Sequence, residues 1–257
     1  MSNFLTTYVK LFMNLIKTLK KLLLHLLKYF LSELFYLKLK RYLLNLMGIT
    51  HNSLVEQNQW SKDYLMSDDK DGFSNRWGII NQNDKLLGDY RIVLEKITVL
   101  SNSLNCVLEI GSLDGKWSEV LIKNFKSVSL IDLNEELLPI LKKKFGKKFD
   151  FYTTSGNELN QIENESIDLI FSMDSLVRLP SKLFILDYFW EFKRVLKHKG
   201  EVYVHLPCNS KKYCIENGFT DVSKSCIIRY ANVVRLNIVF FDENTLNHGI
   251  MLHLKKG

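Results

Sequence analysis

The sequence is poor in the features that cut a chain into separate pieces. It has three prolines in 257 residues, no Pro-, Gly- or Ser-rich linker and no internal repeat. One full-sized domain with room for an extra segment is therefore expected. Cysteine is sparse as well. Cys106, Cys208, Cys214 and Cys226 form no C-x-x-C pair, which argues against a zinc site and for free thiols in a reducing compartment. Cys106 sits in an apolar run and reads as core. The long uncharged stretch that a membrane-spanning helix needs, about 20 residues, is missing, because lysines interrupt every candidate window. An apolar centre followed by a small-residue cleavage site, the mark of a secretory signal, is missing too. These absences lead us to expect a cytoplasmic protein.

Hydrophobic residues make up 46% of the chain and charged residues 25%, the balance of a globular domain with a sizeable core. The formal charge of +7 is unevenly placed. Residues 1–50 hold eight basic side chains (Lys10, Lys17, Lys20, Lys21, Lys28, Lys38, Lys40 and Arg41) against Glu33 alone, so residues 51–257 are formally neutral. A neutral main domain argues against electrostatic binding of nucleic acid by that domain.

The basic segment has a pattern of its own. On a helical wheel of residues 4–32, Lys10, Lys17, Lys20, Lys21 and Lys28 share one arc, and Leu5, Phe12, Leu15, Ile16, Leu19, Leu23 and Phe30 fill the opposite side. After Glu33 the phase slips, so a bend or second short helix is expected before Gly48. Lysine reaching for headgroups while Leu and Phe enter the acyl boundary fits a helix lying on an anionic membrane surface, peripheral to it. The same face would serve packing on the protein itself, or self-association into a homo-oligomer. Residues 51–84 are polar apart from Trp60, Trp77 and a few aliphatic positions. They read as a connector anchored by its tryptophans, or as a lid.

From residue 85 to 257 the pattern alternates between helix and strand, the mark of an α/β domain. Leu87, Tyr90, Val93, Leu94, Ile97 and Leu100 have helical spacing. Cys106–Ile110 is a short apolar strand that runs into Gly111-Ser112-Leu113-Asp114-Gly115, and helical residues follow from Trp117. Strand, glycine turn and helix frame a nucleotide-binding βαβ unit. Ser127–Ile131 is a second strand ending at Asp132, an acid placed to accept hydrogen bonds from ribose hydroxyls. A helix over Glu135–Lys144 follows. Phe149–Tyr152, Ile167–Ser172 and Glu201–Leu206 read as further strands. A helix over Leu183–Leu196 is expected to end on Lys199-Gly200 through a glycine C-cap. Asn237–Phe241 and Gly249–Leu254 look like a terminal pair.

Val107–Gly115 resembles the first motif of class I S-adenosylmethionine-dependent methyltransferases, acidic-x-Gly-x-Gly-x-Gly. Glu109, Gly111 and Gly115 are kept, and Leu113 replaces the middle glycine. Asp132 matches the family's ribose-binding acid. Ile167–Leu179 resembles the fourth-strand motif, and Glu191–Leu206 the "R-V-L-K-x-G-G" run. The resemblance covers about 170 residues in order. It implies a Rossmann-like, doubly wound sheet of about seven strands, S-adenosyl-L-methionine as cofactor and methyl transfer as the reaction. By the same resemblance Glu109, Gly111 and Gly115 surround the methionine part. Asp132 holds the ribose, Asn157 and Glu158 lie near the adenine, and Ser172 lies beside the methyl-transfer region.

Asp174 and His205 are the candidates for a general base, by position at two strand ends. Asp174 serves equally as a helix cap and His205 as a buried strand histidine; His248 is given no role. No metal ligand set is visible. The chain is also similar to methyltransferases found with bacterial cell-surface polysaccharide synthesis. That similarity implies a small-molecule, glycan or lipid-linked acceptor, methylated at a hydroxyl. The alternative is a methyltransferase-like scaffold without catalysis at a membrane surface, since Leu113 crowds the cofactor turn.

The membrane expectation has a direct test. Full-length protein should co-sediment with anionic liposomes, and a variant lacking residues 1–47 should not. Replacing Lys10, Lys17, Lys20, Lys21 and Lys28 by Gln should remove the salt-sensitive part, about 1 kcal/mol per lysine. Equal sedimentation of the truncated protein would defeat the membrane reading.

Overall fold

The computed structural model describes residues 86–156, 158–179, 182–207, 222–244, 246 and 249–257. The expected N-terminal helix and connector, Asn157 and His248 lie outside the described residues. Among the described residues, no helix is long and apolar enough to cross a membrane.

Seven strands form one sheet in the order β3-β2-β1-β4-β5-β7-β6. They are β1 (Cys106–Ile110), β2 (Ser127–Asp132), β3 (Asp150–Thr153), β4 (Ile167–Ser172), β5 (Leu196–Leu206), β6 (Leu236–Asp242) and β7 (Ile250–Lys256). Neighbours from β3 through β5 pair in parallel, and β7 runs antiparallel between β5 and β6. The helices are α1 (Leu86–Ser101), α2 (Lys116–Asn124), α3 (Leu137–Phe145), α4 (Lys182–Val195) and α5 (Lys224–Val234), with a 3-10 turn at Leu176–Arg178. Order reverses between β1 and β4. Doubly wound sheets open a ligand crevice at such a switch point, outside the carboxyl ends of the strands.

Each face of the sheet is covered by an aromatic layer. On one side Tyr90 of α1 meets Trp117 of α2 with ring centroids 5.8 Å apart, Trp117 meets Phe171 of β4 at 5.4 Å, and Phe171 meets Tyr203 of β5 at 6.5 Å. On the other side Phe189 and Phe192 of α4 pack at 5.9 Å, and Phe189 meets Tyr230 of α5 edge-on at 6.2 Å. Because β1 and β4 are covered on both faces, their residues are almost wholly buried. That is why they read in the sequence as continuous apolar runs.

Two expectations are corrected by the structure. Helix α4 stops at Val195, and Leu196 already pairs with Ile167 in the sheet. Lys199 and Gly200 do not cap the helix. They belong to an excursion within β5, where the register slips between Ile167 and Leu169 and Lys199 takes φ 63°. Sheet pairing of Leu196 wins over continuation of the helix because it satisfies a buried backbone group. In addition, α5 was not read from the sequence. Its buried Ile227, Tyr230, Ala231 and Val234 do recur at helical spacing, and Ser223 caps it by accepting from the Cys226 amide at 3.2 Å.

The "R-V-L-K" run acts as a clamp. Arg194 donates to both carboxylate oxygens of Glu191, at 3.1 and 2.7 Å, and to the carbonyls of Ile162 and Leu159, at 2.8 Å each. Glu191 in turn accepts from the Leu159 amide at 2.8 Å. One guanidinium thereby fixes the connection between β3 and β4. Arg194→Ala should lower unfolding free energy by about 2–3 kcal/mol in urea titration, because several charge-assisted bonds lose their donor. Arg194→Lys should recover less than half of the loss, since lysine lacks the planar fork.

Candidate functional site

The loop after β1 turns back over the sheet through three residues with positive φ: Gly111 at 80°, Leu113 at 41° and Gly115 at 80°. Each glycine is bare for a protein contact. A Cβ on Gly111 would sit 2.2 Å from Ser175 Oγ, and one on Gly115 would sit 2.6 Å from Phe145 and 2.7 Å from Leu141. Gly111 thus lets the loop after β4 close onto the loop after β1, and Gly115 lets α3 pack over the start of α2. Leu113, at the family's middle glycine, holds a left-handed backbone at a cost of about 1 kcal/mol.

Asp132 ends β2 beneath this loop. Its carboxylate accepts from the Leu113 amide at 3.2 Å and the Asn134 amide at 3.2 Å. Burial raises its pKa despite these amides, which pull the other way together with those of Leu133 and Ser112. Glu109 lies deeper, on β1, and accepts from Ser118 Oγ of α2 at 2.5 Å. Burial pushes its pKa up to about 8, and the nearby carboxylates of Asp132 and Asp114 add to the rise. Two acids are therefore buried close together, and among the described residues no Lys or Arg is ion-paired with either.

That arrangement fits a ligand with positive charge. An ionised carboxylate accepts at about four sites, and on Asp132 the Leu113 and Asn134 amides hold two of them. Ser112 Oγ and Asn134 Nδ2, which flank Asp132 in the two loops, are buried without a hydrogen-bond partner. Buried polar groups of this kind ordinarily have partners. The residues present thus fit a nucleoside bearing a cationic group.

Beyond Asp132 a cavity of about 460 Å³ opens at the ends of β2 and β3, lined by Leu133, Asn134, Glu136, Thr154, Glu158 and Gln161 among others. Glu158, expected near the adenine, lies on its wall. Its carboxylate is engaged by Ser155 Oγ and, at 2.7 Å, by Asn160 Nδ2. Ser172 is the residue expected beside the transferred group. It is fully buried, and its hydroxyl donates to the Ile110 carbonyl at 2.9 Å, tying β4 to the end of β1.

The two candidates for a base are brought together. Asp174 follows β4 in a left-handed conformation, φ 58°. Its Oδ1 lies 2.8 Å from His205 Nδ1, and its Oδ2 accepts from the Tyr90 hydroxyl at 3.2 Å. Ser175, rather than Asp174, stands at the start of the 3-10 turn. His205 is fully enclosed, whereas the Asp174 side chain is 25% exposed. Gly249 leaves room for the His205 ring, since a Cβ there would come within 2.2 Å of Nε2. The histidine therefore stands behind the aspartate. Tyr90, Ser118 and Ser175 were missed as site residues. Tyr90 was read only as part of a helical stripe; its polar tip on that otherwise apolar stripe was its one signal.

Solved structures share this fold. An N-methyltransferase, NodS of Bradyrhizobium japonicum WM9, is 16% identical with a TM-score of 0.59 over 77% of this chain and 97% of its own. An S-adenosylmethionine-dependent methyltransferase of Clostridium acetobutylicum is 17% identical with a TM-score of 0.58 over 74% and 100%. At such identity the likeness establishes the fold. An uncharacterized protein of Methanocaldococcus jannaschii is 29% identical over 167 residues, 64% of this chain and 44% of that protein. The chain spans less than half the length of the curated relatives it matches. Residues 108–204, from β1 into β5, match the family described as a methyltransferase domain, so this stretch of the chain is similar to that family.

Proposed function

We propose that the chain binds S-adenosylmethionine over the loops after β1 and β2 and methylates a hydroxyl of a small-molecule, glycan or lipid-linked acceptor. The observation that carries the reading is the buried pair Glu109 and Asp132, held under a left-handed loop with no Lys or Arg ion-paired to it among the described residues. When bound, S-adenosylmethionine supplies an electrophilic methyl group on a positively charged sulfur. Asp132 accepts from the ribose, Ser112 and Asn134 gain partners, and Glu109 supplies negative potential below. Gly111 and Gly115 keep the loops closed around that position. The protein mainly positions the reactants.

Asp174 is the residue proposed to meet the acceptor. Its carboxylate takes the hydroxyl proton, while His205 and Tyr90 hold it in one orientation. His205, enclosed behind it, acts through Asp174 as a positioning residue. A base oriented by a further group follows the same logic as other activated nucleophiles.

Calorimetry with S-adenosylhomocysteine and S-adenosylmethionine, followed by an acceptor screen, tests the reading. Asp132→Ala should weaken binding of either by about 1–3 kcal/mol; unchanged affinity would remove Asp132 from the site. Binding of both without transfer to any hydroxyl acceptor would favour a scaffold. With an acceptor in hand, Asp174→Asn should cut kcat by about 10²–10⁴ and leave S-adenosylhomocysteine affinity unchanged. His205→Gln should reduce kcat less and displace the pH profile, which a purely structural role would not do.

Glu109 gives a pH-dependent prediction. With its pKa near 8 it is largely protonated at neutral pH. Arrival of a cationic ligand favours the ionised form, so S-adenosylmethionine binding at pH 7 should release protons, measured as a dependence of binding heat on buffer ionisation enthalpy. Glu109→Gln should abolish the release. In the unliganded protein the raised pKa means that more protons are bound folded than unfolded between pH 4.5 and about 8. The contribution of Glu109 to stability is therefore full below pH 4.5 and is lost as pH rises toward 8. Thermal unfolding across that window should show the decline in wild type and a flatter profile in Glu109→Gln.

A further inference from the structure

Among the described residues the sheet ends at β6, which pairs with β7 on one side and with no strand on the other. Its sequence, Leu-Asn-Ile-Val-Phe-Phe-Asp, carries no charge before Asp242 and no proline. Those are the residues that usually blunt a sheet edge. The register slips between Ile238 and Phe240, so Val239 and Phe240 project in succession rather than on strictly alternate faces. They are 53% and 50% exposed. On the opposite face, Lys224 of α5 covers the ring of Phe241 at 4.6 Å.

Phe240 is registered with His253 of β7, whose ring meets Tyr203 edge-on at 6.0 Å. This is the face that α1 and α2 cover. Ile92, Lys96 and Val99 recur at i, i+4 and i+7 and share one stripe of α1. Ile92 is 46% and Val99 62% exposed. Val239 and Phe240, two of the six exposed large apolar side chains among the described residues, thus stand side by side on the sheet edge. A concentration of this kind marks an interaction surface, where scattered single residues would not.

We propose that two copies of this chain associate through this edge, β6 against β6, antiparallel about a two-fold axis near Val239. The strand is self-complementary in charge. Arg235 precedes it, and Asp242 and Glu243 end it. Antiparallel pairing about that axis sets Arg235 of each copy beside the acidic end of the other. Parallel pairing would bring like charges together. Lys224 holds Glu243 at 2.5 Å and so keeps that carboxylate at the margin. At the axis, Val239 and Phe240 of both copies bury one another. The arrangement is isologous and closed, the commonest form of soluble homo-oligomer. It rests on β6 and β7 and is independent of the proposed reaction.

Sedimentation velocity of the full chain across the micromolar range tests it. A concentration-dependent dimer is expected. Phe240→Glu should raise its dissociation constant by about thirtyfold or more, the loss typical of a central interface residue. Its circular dichroism spectrum should be unchanged, because the ring is half exposed. Arg235→Glu and Glu243→Arg should each weaken self-association, and an equimolar mixture of the two should form heterodimers tighter than either homodimer. A wild type that stays monomeric, a Phe240→Glu dimer of undiminished affinity, or a mixture no tighter than its components would overturn the proposal.

Discussion

The carboxylate of Asp132 is the interaction on which the site depends. It ends β2 and accepts amide hydrogens from the loops on either side of it, through Leu113 and Asn134. Neither loop has a strand partner at that level, so the acid supplies the acceptor that the sheet no longer offers. Burying a carboxylate is costly unless amides or ions surround it. Here the amides are present and burial still outweighs them. The site is thus built around a group whose charge is only partly compensated by the protein.

Packing finishes what this bond begins. Ser118 on α2 reaches down to Glu109 on β1, Ser175 fills the space beside Gly111, and Ser172 ties β4 to Ile110. Three serines, each with a small side chain, draw the ends of β1 and β4 and the start of α2 together. The pair Asp174–His205 stands one strand further along the same edge. A histidine at the end of β5 can orient an aspartate after β4 only because β4 and β5 pair directly, with Ser172 registered to Val204. Strand order sets the chemistry of the crevice before any single side chain does.

Much of this was legible in the sequence. β1, β2 and β4 stood out because doubly covered strands are apolar runs bounded by turns. Glu109, Gly111, Gly115 and Asp132 carried a recognisable spacing. Asp174 and His205 were reached by position alone, but their order, with the histidine enclosed behind the aspartate, depends on Gly249 in a strand pair that closes from far along the chain. The roles of Ser118, Ser175 and Arg194 were not legible, because each is fixed by a partner between 9 and 64 residues away or by a carbonyl, which no side-chain pattern reveals. The start of β5 was misplaced for a related reason. Lys199-Gly200 has the look of a helix end, and only the pairing of Leu196 with Ile167 shows that it interrupts a strand.

The position of β7 has a consequence for synthesis. It follows β6 in the chain but lies between β5 and β6 in space. While a ribosome is still adding Ile250–Lys256, β5 has no neighbour on its outer side and β6 has no strand to join. The β3-β2-β1-β4-β5 half can pair in vectorial order, yet the half holding His205 cannot close until the final strand is inserted. Non-local pairing of this type is slow and leaves apolar edges open in the meantime. Nascent chains should therefore meet chaperones chiefly through β5 and β6, and the crevice would acquire its geometry only after elongation has passed the last strand.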